Sequence, residues 1–178
     1  MAVRLVALAC LLAASSALAS SCVDRGAKAN FDIPAFIDTW YIQKVAEFPG
    51  FSGTKCDQLT FSELENDQLK MIASFYNITS GEDGSISVMV RKLNPESKEA
   101  RFTCQHEGLF TYENTHLNVL DTDYSSLAVM TFCEENTEKY TALLITRERS
   151  PPVAVLAAGE ALLPPGLDYT VHDQTGCA

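Results

Sequence analysis

Cys104 and His106 stand two residues apart in the run Phe102-Thr103-Cys104-Gln105-His106-Glu107. A thiol beside an imidazole is the pair a cysteine nucleophile requires, because the imidazole takes the proton and the thiolate attacks. The same two residue types also ligate zinc. Neither chemistry is completed by its neighbours. The other histidines, His116 and His172, are scattered, and no CxxC or Cys–His spacing of a structural zinc site occurs. GxSxG, a clustered set of metal ligands and a phosphate-binding glycine loop are all absent from the sequence. The reading is therefore of a non-enzyme with no catalytic residue, no metal ligand and no required cofactor.

Whether Cys104 is free depends on the remaining cysteines and on the compartment. Residues 1–19 carry an early cation, Arg4, then a small and apolar run ending in Ala17-Leu18-Ala19, the pattern of a cleaved secretory signal. Cys10 leaves with it. Cys22, Cys56, Cys104, Cys133 and Cys177 remain, an odd number, so at least one is unpaired or pairs between chains. The chain after the signal, 20–178, reads as a single secreted, extracellular domain. The full 178-residue chain is strongly acidic, 23 Asp and Glu against 13 Lys and Arg, with a net charge of −10, and one of those cations, Arg4, belongs to the signal. Such a surface repels nucleic acid and anionic lipid. No later segment is apolar and long enough for stable membrane insertion.

The elements that must position Cys104 are strands. Eight runs rich in β-branched and aromatic residues fall at roughly 39–48, 55–64, 69–78, 85–92, 99–106, 115–121, 126–133 and 140–147. Turn residues separate them: Pro49-Gly50, Glu65-Asn66-Asp67, Gly81-Glu82-Asp83-Gly84 and Asn94-Pro95. Alternation puts Ile86, Val88 and Val90 on one face, and Phe102, Cys104 and His106 on one face, so Cys104 points inward. One helix follows. Ser150 is the candidate N-cap, Pro151 suits the first turn, Val153, Leu156, Ala157 and Leu163 form an apolar stripe, and Pro164-Pro165-Gly166 is the stop. This is an all-β class: an eight-stranded up-and-down antiparallel barrel with one C-terminal helix packed outside, a monomer or weak homo-oligomer.

Three segments resemble a known family. Asn30-Phe31-Asp32 with Phe36-Ile37-Asp38-Thr39-Trp40-Tyr41 resembles the first lipocalin motif, in which the chain crosses the barrel floor and enters the first strand at a tryptophan. Val119-Leu120-Asp121-Thr122-Asp123-Tyr124 resembles the second, a tight turn between the sixth and seventh strands. Thr146-Arg147 resembles the third, whose arginine lies across that tryptophan. The order and spacing fit over nearly the whole mature chain, nearest to the branch holding apolipoprotein D, insecticyanin and the insect bilin-binding proteins. The resemblance implies that Trp40, Thr122, Asp123, Tyr124 and Arg147 build the closed end. It also implies disulfides Cys22–Cys133 and Cys56–Cys177, which leaves Cys104 without a partner. One departure is Asp38, where the family usually carries glycine.

A barrel closed at that end opens at the other, where loops near 49–54, 78–84, 107–114 and 134–139 bring Phe48, Phe51, Phe110, Tyr112 and Tyr140. Tyr76, Ile86, Val88, Val90, Phe102, Cys104, His106, Phe110, Tyr112 and Tyr140 are the candidate ligand-binding residues, with Ser74 on the same face as Tyr76. His106, Tyr76, Asn118 and Lys44 supply polar groups. The resemblance implies carriage of a small hydrophobic molecule, with a linear tetrapyrrole (bilin) pigment as the leading candidate and a lipid, sterol, retinoid or fatty acid as the alternative. A thiol-dependent isomerase of the prostaglandin D synthase type, using Cys104, and a role of the outer surface in defence or adhesion are further readings. Cys104 is either a small buried hydrophobe or a thiol that captures its ligand covalently. Asn77-Ile78-Thr79 is an N-glycosylation sequon.

Overall fold

The computed structural model describes residues 26–46, 52–64, 68–106, 115–137 and 139–177. The signal segment, Cys22, Phe48, Phe51, Phe110, Tyr112, the turns Pro49-Gly50 and Glu65-Asn66-Asp67, and the side chain of His106 lie outside the described residues. A single turn of helix, α1 (Ile33–Phe36), leads into β1 (Asp38–Ala46). The meander continues as β2 (Thr54–Glu63), β3 (Gln68–Asn77), β4 (Glu82–Lys92), β5 (Arg101–His106), β6 (Thr115–Thr122), β7 (Leu127–Glu134) and β8 (Lys139–Thr146). Helix α2 (Val153–Glu160) and a short strand, β9 (Tyr169–Val171), complete the chain. Every consecutive pair from β1 to β8 is antiparallel, and β8 returns to β1, so the sheet closes into an eight-stranded up-and-down barrel. Closure removes the free edges on which open sheets aggregate.

Period-two alternation sets the inner wall. Trp40, Ile42, Leu59, Phe61, Leu69, Met71, Val88, Val90, Phe102, Cys104, Leu117, Val119, Met130, Leu143 and Ile145 form one buried cluster. Strand bulges reset the alternation between Ile42 and Lys44, between Lys55 and Gln58, and between Val119 and Asp121.

The bulge in β1 marks a seam. Only Asp38–Tyr41 of β1 pair with β2; higher up, Lys44–Ala46 pair with β9 instead. The C-terminal tail fills the gap this leaves. Cys56 N–H donates to Asp173 O at 2.9 Å and His172 N–H to Gln43 O at 2.9 Å. The Gln174 amide donates to Ile42 O at 2.8 Å and to Asp57 O at 2.9 Å, spanning both strands. The buried side chains of His172 and Asp57 hydrogen-bond to each other, and the Cys56–Cys177 disulfide pins the end of the tail to β2. A ninth strand was not expected, because three residues of mixed polarity are too few to show a period.

Helix α2 corrects two expectations. Its N-cap is Pro152, with no side-chain cap, so Ser150 does not serve. A proline N-cap leaves the first N–H groups to backbone turns, here Val155 and Leu156 onto Pro152 O. Val153 is 82% exposed and Ala157 is also exposed. The face against the barrel is instead Val155, Leu156 and Leu163, packed on Leu127, Val129 and Leu144. Gly159 sets that orientation, since a Cβ there would sit 2.3 Å from Leu144 Cδ1. The helix ends at Glu160, before the Pro164-Pro165 stop.

Candidate functional site

The closed end is built around Trp40 and Arg147. The Arg147 guanidinium carbon lies 3.8 Å from the centre of the Trp40 ring, a stacked cation–π pair. Its nitrogens donate to Tyr124 O at 3.1 Å, Thr39 O at 3.4 Å, Ala35 O at 3.0 Å and Phe36 O at 3.2 Å. One side chain thus ties α1, β1 and the β6–β7 turn together. Burial pushes the guanidinium below its ordinary value, while Asp38 and Asp123 hold it up. Trp40 Nε1 donates to Phe36 O at 2.9 Å, and the Phe36 ring stacks on Trp40 at 5.0 Å. The turn itself is held by Asp123, whose Oδ1 accepts from the N–H groups of Ser125, Ser126 and Leu127. Burial alone would raise that carboxyl, but the Ser126 hydroxyl and the three backbone donors outweigh it and hold it below the usual carboxylate range. Thr122 Oγ1 donates to Leu127 O, and Tyr124 OH accepts from Asp32 N–H. Asp38 adopts φ +102°, the conformation for which glycine is suited.

Above this floor the inner wall opens. Along β4, exposure climbs from 0% at Val90 to 7% at Val88 and 38% at Ile86. Inner-facing Ala73 and Phe75 on β3 and Phe132 on β7 are likewise only partly buried. Phe75 lies over Gly84 on the neighbouring strand, where a Cβ would stand 2.5 Å from its ring. The aromatic fills the face the glycine leaves bare. Thr115 faces Cys104 across β5–β6 and Glu134 across β6–β7, so all three share this wall toward the mouth.

Several predicted residues lie elsewhere. Tyr76 and Ser74 are on the outer face of β3, because Leu69 and Met71 define the inner parity; Lys55 Nζ sits 5.4 Å from the Tyr76 ring. The inward aromatic is Phe75, one residue away, and the alternation from Leu69 already carries that signal. Tyr140 is also outward, since Thr141, Leu143 and Ile145 alternate with it and it pairs with outward Cys133. Asn118 is buried on the outer side of β6, and Lys44 makes a 2.7 Å ion pair with Glu160 of α2 outside the barrel. Each error has the same cause: a shift of one residue exchanges the faces of a strand. Val88, Val90, Phe102 and Cys104 lie on the inner wall. His106 ends β5 in register with Val88.

Cys104 is free and buried. Burial pushes its thiol up to about 12, so it stays protonated near neutral pH and is a poor nucleophile. Cys133 is disulfide-bonded; Cys22, the partner implied by the resemblance, lies outside the described residues. Asn77 closes β3, with its Oδ1 accepting from the N–H groups of Thr79 and Ser80 in an exposed turn. Among the described residues, no His, Cys, Asp and Glu group could hold a metal, and no helix is long and apolar enough to cross a membrane.

Known proteins resemble this chain in sequence or in fold. Triafestin-2 of Triatoma infestans is 28% identical over 128 residues, 67% of this chain but 60% of its own length. Among solved structures, the amine binding protein of Rhodnius prolixus in its tryptamine complex superposes with a TM-score of 0.67 at 16% identity, covering 88% of this chain and 87% of that one. Insecticyanin from the tobacco hornworm Manduca sexta gives a TM-score of 0.63 at 14% identity, covering 83% of each. The sequence profile of the Lipocalin / cytosolic fatty-acid binding protein family matches residues 37–158. With the Trp40–Arg147 floor, the β6–β7 turn and the closed eight-stranded meander all in place, the chain belongs to the lipocalin family.

Proposed function

We propose that this protein is a secreted binder and carrier of a small hydrophobic ligand held in the mouth half of the barrel. The carrying observation is the exposure gradient up the inner wall, from fully buried Val90 to open Ile86. Apolar side chains that face inward yet remain accessible offer a concave apolar surface. The floor half is filled by Phe36, Trp40, Phe61, Phe102, Met130 and Leu143, which favours a compact ligand. The protonated thiol of Cys104 supports binding over thiol-dependent isomerisation, and packing over covalent capture.

Two finer readings differ in charge. A bilin, the leading candidate from the resemblance, carries anionic propionates. A small aromatic amine is the second reading. It is favoured by Glu134 on the inner face at the mouth and by likeness to a protein crystallised with tryptamine. The test is titration of the purified mature chain with biliverdin, tryptamine, retinol and oleate. Saturation near one equivalent below about 10 µM, roughly 7 kcal/mol of binding free energy, is the expected result for at least one of them. Failure of all four sinks the carrier reading. Preference for tryptamine over biliverdin selects the amine.

A further inference from the structure

Thr115 carries a buried hydroxyl with nothing to bond. The residue is 7% exposed, and its Oγ1 has no hydrogen-bond partner among the described residues. Buried hydroxyls are nearly always paired, and an orphan calls for an explanation. Its place in the wall supplies one. Thr115 opens β6 directly opposite Cys104 of β5, and Cys104 belongs to the inner cluster with Val90 and Phe102. Residues directly opposite across an antiparallel pair share a face, so the hydroxyl and the free thiol stand side by side on the barrel's inner wall.

The neighbours do not use it up. Glu134, opposite Thr115 on β7, already accepts from Thr137 Oγ1 at 2.6 Å. Thr141, the other buried threonine of the inner cluster's face on β8, donates to Ala46 O. Thr115 therefore differs from Thr141: the Thr141 hydroxyl closes a backbone contact, and that of Thr115 is left over. Cys104 adds a weak S–H donor and a weak acceptor, and its burial keeps it neutral.

We propose that Thr115, with the Cys104 thiol across the sheet from it, forms a neutral hydrogen-bonding point in the barrel wall that takes the carbonyl or hydroxyl oxygen of an otherwise apolar ligand. This rests on the carrier reading above. A neutral donor in this wall selects a neutral oxygen over an anionic one, because an anion placed there would lose its hydration beside the Glu134 carboxylate with no opposite charge in return. A site built to bond an oxygen discriminates against the analogue lacking it, since the wall group is then left unpaired.

The test uses a matched pair of flat probes, 2-acetylnaphthalene and 2-ethylnaphthalene, titrated calorimetrically into the mature protein and into Thr115→Val and Thr115→Ser. The wild type is expected to prefer the ketone by about tenfold, a typical worth for one buried hydrogen bond. Thr115→Val should bring the ratio to about one by weakening only the ketone, and Thr115→Ser should retain it. Apo Thr115→Val should be at least as stable as wild type in urea, because the substitution removes an unpaired hydroxyl. Equal binding of both probes by the wild type, or an unchanged ratio in Thr115→Val, overturns the proposal while leaving the pocket standing. A loss of apo stability in Thr115→Val also overturns it, by assigning the hydroxyl to a structural bond. Binding of neither probe by the wild type defeats the apolar pocket itself, and the hydrogen-bonding point with it.

Discussion

Asp38 shows how a single residue departs from its family and how the fold absorbs it. It holds φ +102°, where a Cβ is poorly tolerated. Two local features offset the strain. Its carboxylate accepts from Thr39 N–H at 2.7 Å, and its charge favours the Arg147 guanidinium. Backbone strain of this kind costs of order 1–3 kcal/mol, while glycine gives back part of that through the entropy of the unfolded chain. Asp38→Gly is therefore expected to stabilise the protein by about 0.5–1 kcal/mol after both offsets are counted. The check is the urea midpoint at constant slope; a lower midpoint in the variant would show that the carboxylate contacts outweigh the strain. Cys104 makes the opposite point at this scale. Type and spacing suggest reactivity beside His106, but burial decides the protonation state, and the thiol is held neutral.

At the scale of elements, the seating of α2 is decided by a gap rather than by a stripe. Gly159 lets the helix approach Leu144 on the outside of β8. Alanine would improve helix propensity by about 1 kcal/mol, but its Cβ would meet Leu144 Cδ1 at 2.3 Å and Cδ2 at 3.0 Å. Leu144 is fully buried and has little room to give way. Overpacking of this kind costs about 1–3 kcal/mol, so Gly159→Ala is expected to destabilise by about 1 kcal/mol net. In a Leu144→Ala background the same change should be stabilising. That reversal, read as a coupling energy in a double-mutant cycle, is the check; a Gly159→Ala effect identical in both backgrounds would locate the constraint elsewhere. The β1 bulge is a second case. By turning β1 away from β2 it opens a seam that only the tail can fill, so β9 belongs to the wall although it lies beyond the helix.

For the whole molecule, that seam makes the last residues part of the barrel. The Cys56–Cys177 bridge closes a span of 121 residues. The chain-entropy account assigns such a loop about 5 kcal/mol, an upper figure that structure in the unfolded state reduces. The Cys56→Ala/Cys177→Ala double variant is expected to lose about 2–5 kcal/mol in urea unfolding. It should also gain amide exchange at Lys44–Ala46 and Cys56, whose backbone partners lie in or beside the tail. Loss of stability without new exchange at those residues would mean that the seam holds without the covalent pin. The ligand reading belongs to this scale too, because the gradient from a packed floor to an open mouth exists only in the closed barrel.

The amino-acid sequence by itself determined the strand runs, the turns between them, the closed-end residues Trp40, Asp123 and Arg147, and the Cys56–Cys177 pairing that its resemblance implied. These are local or compositional signals: β-branched runs, turn residues, a lone tryptophan and a later arginine at matching spacing. Only the tertiary structure decided which faces of β3 and β8 point inward. Period two is ambiguous by one residue: the alternation from Leu69 favours Phe75, but the apolar Ile72 and Tyr76 on the opposite parity blur it until Leu69 and Met71 are seen in the core. It also decided where alternation breaks, since a bulge has no signature in composition. And it isolated Thr115 as the unpaired hydroxyl of the wall. Satisfaction of a polar group depends on what surrounds it, and those surroundings come from strands far apart in the chain.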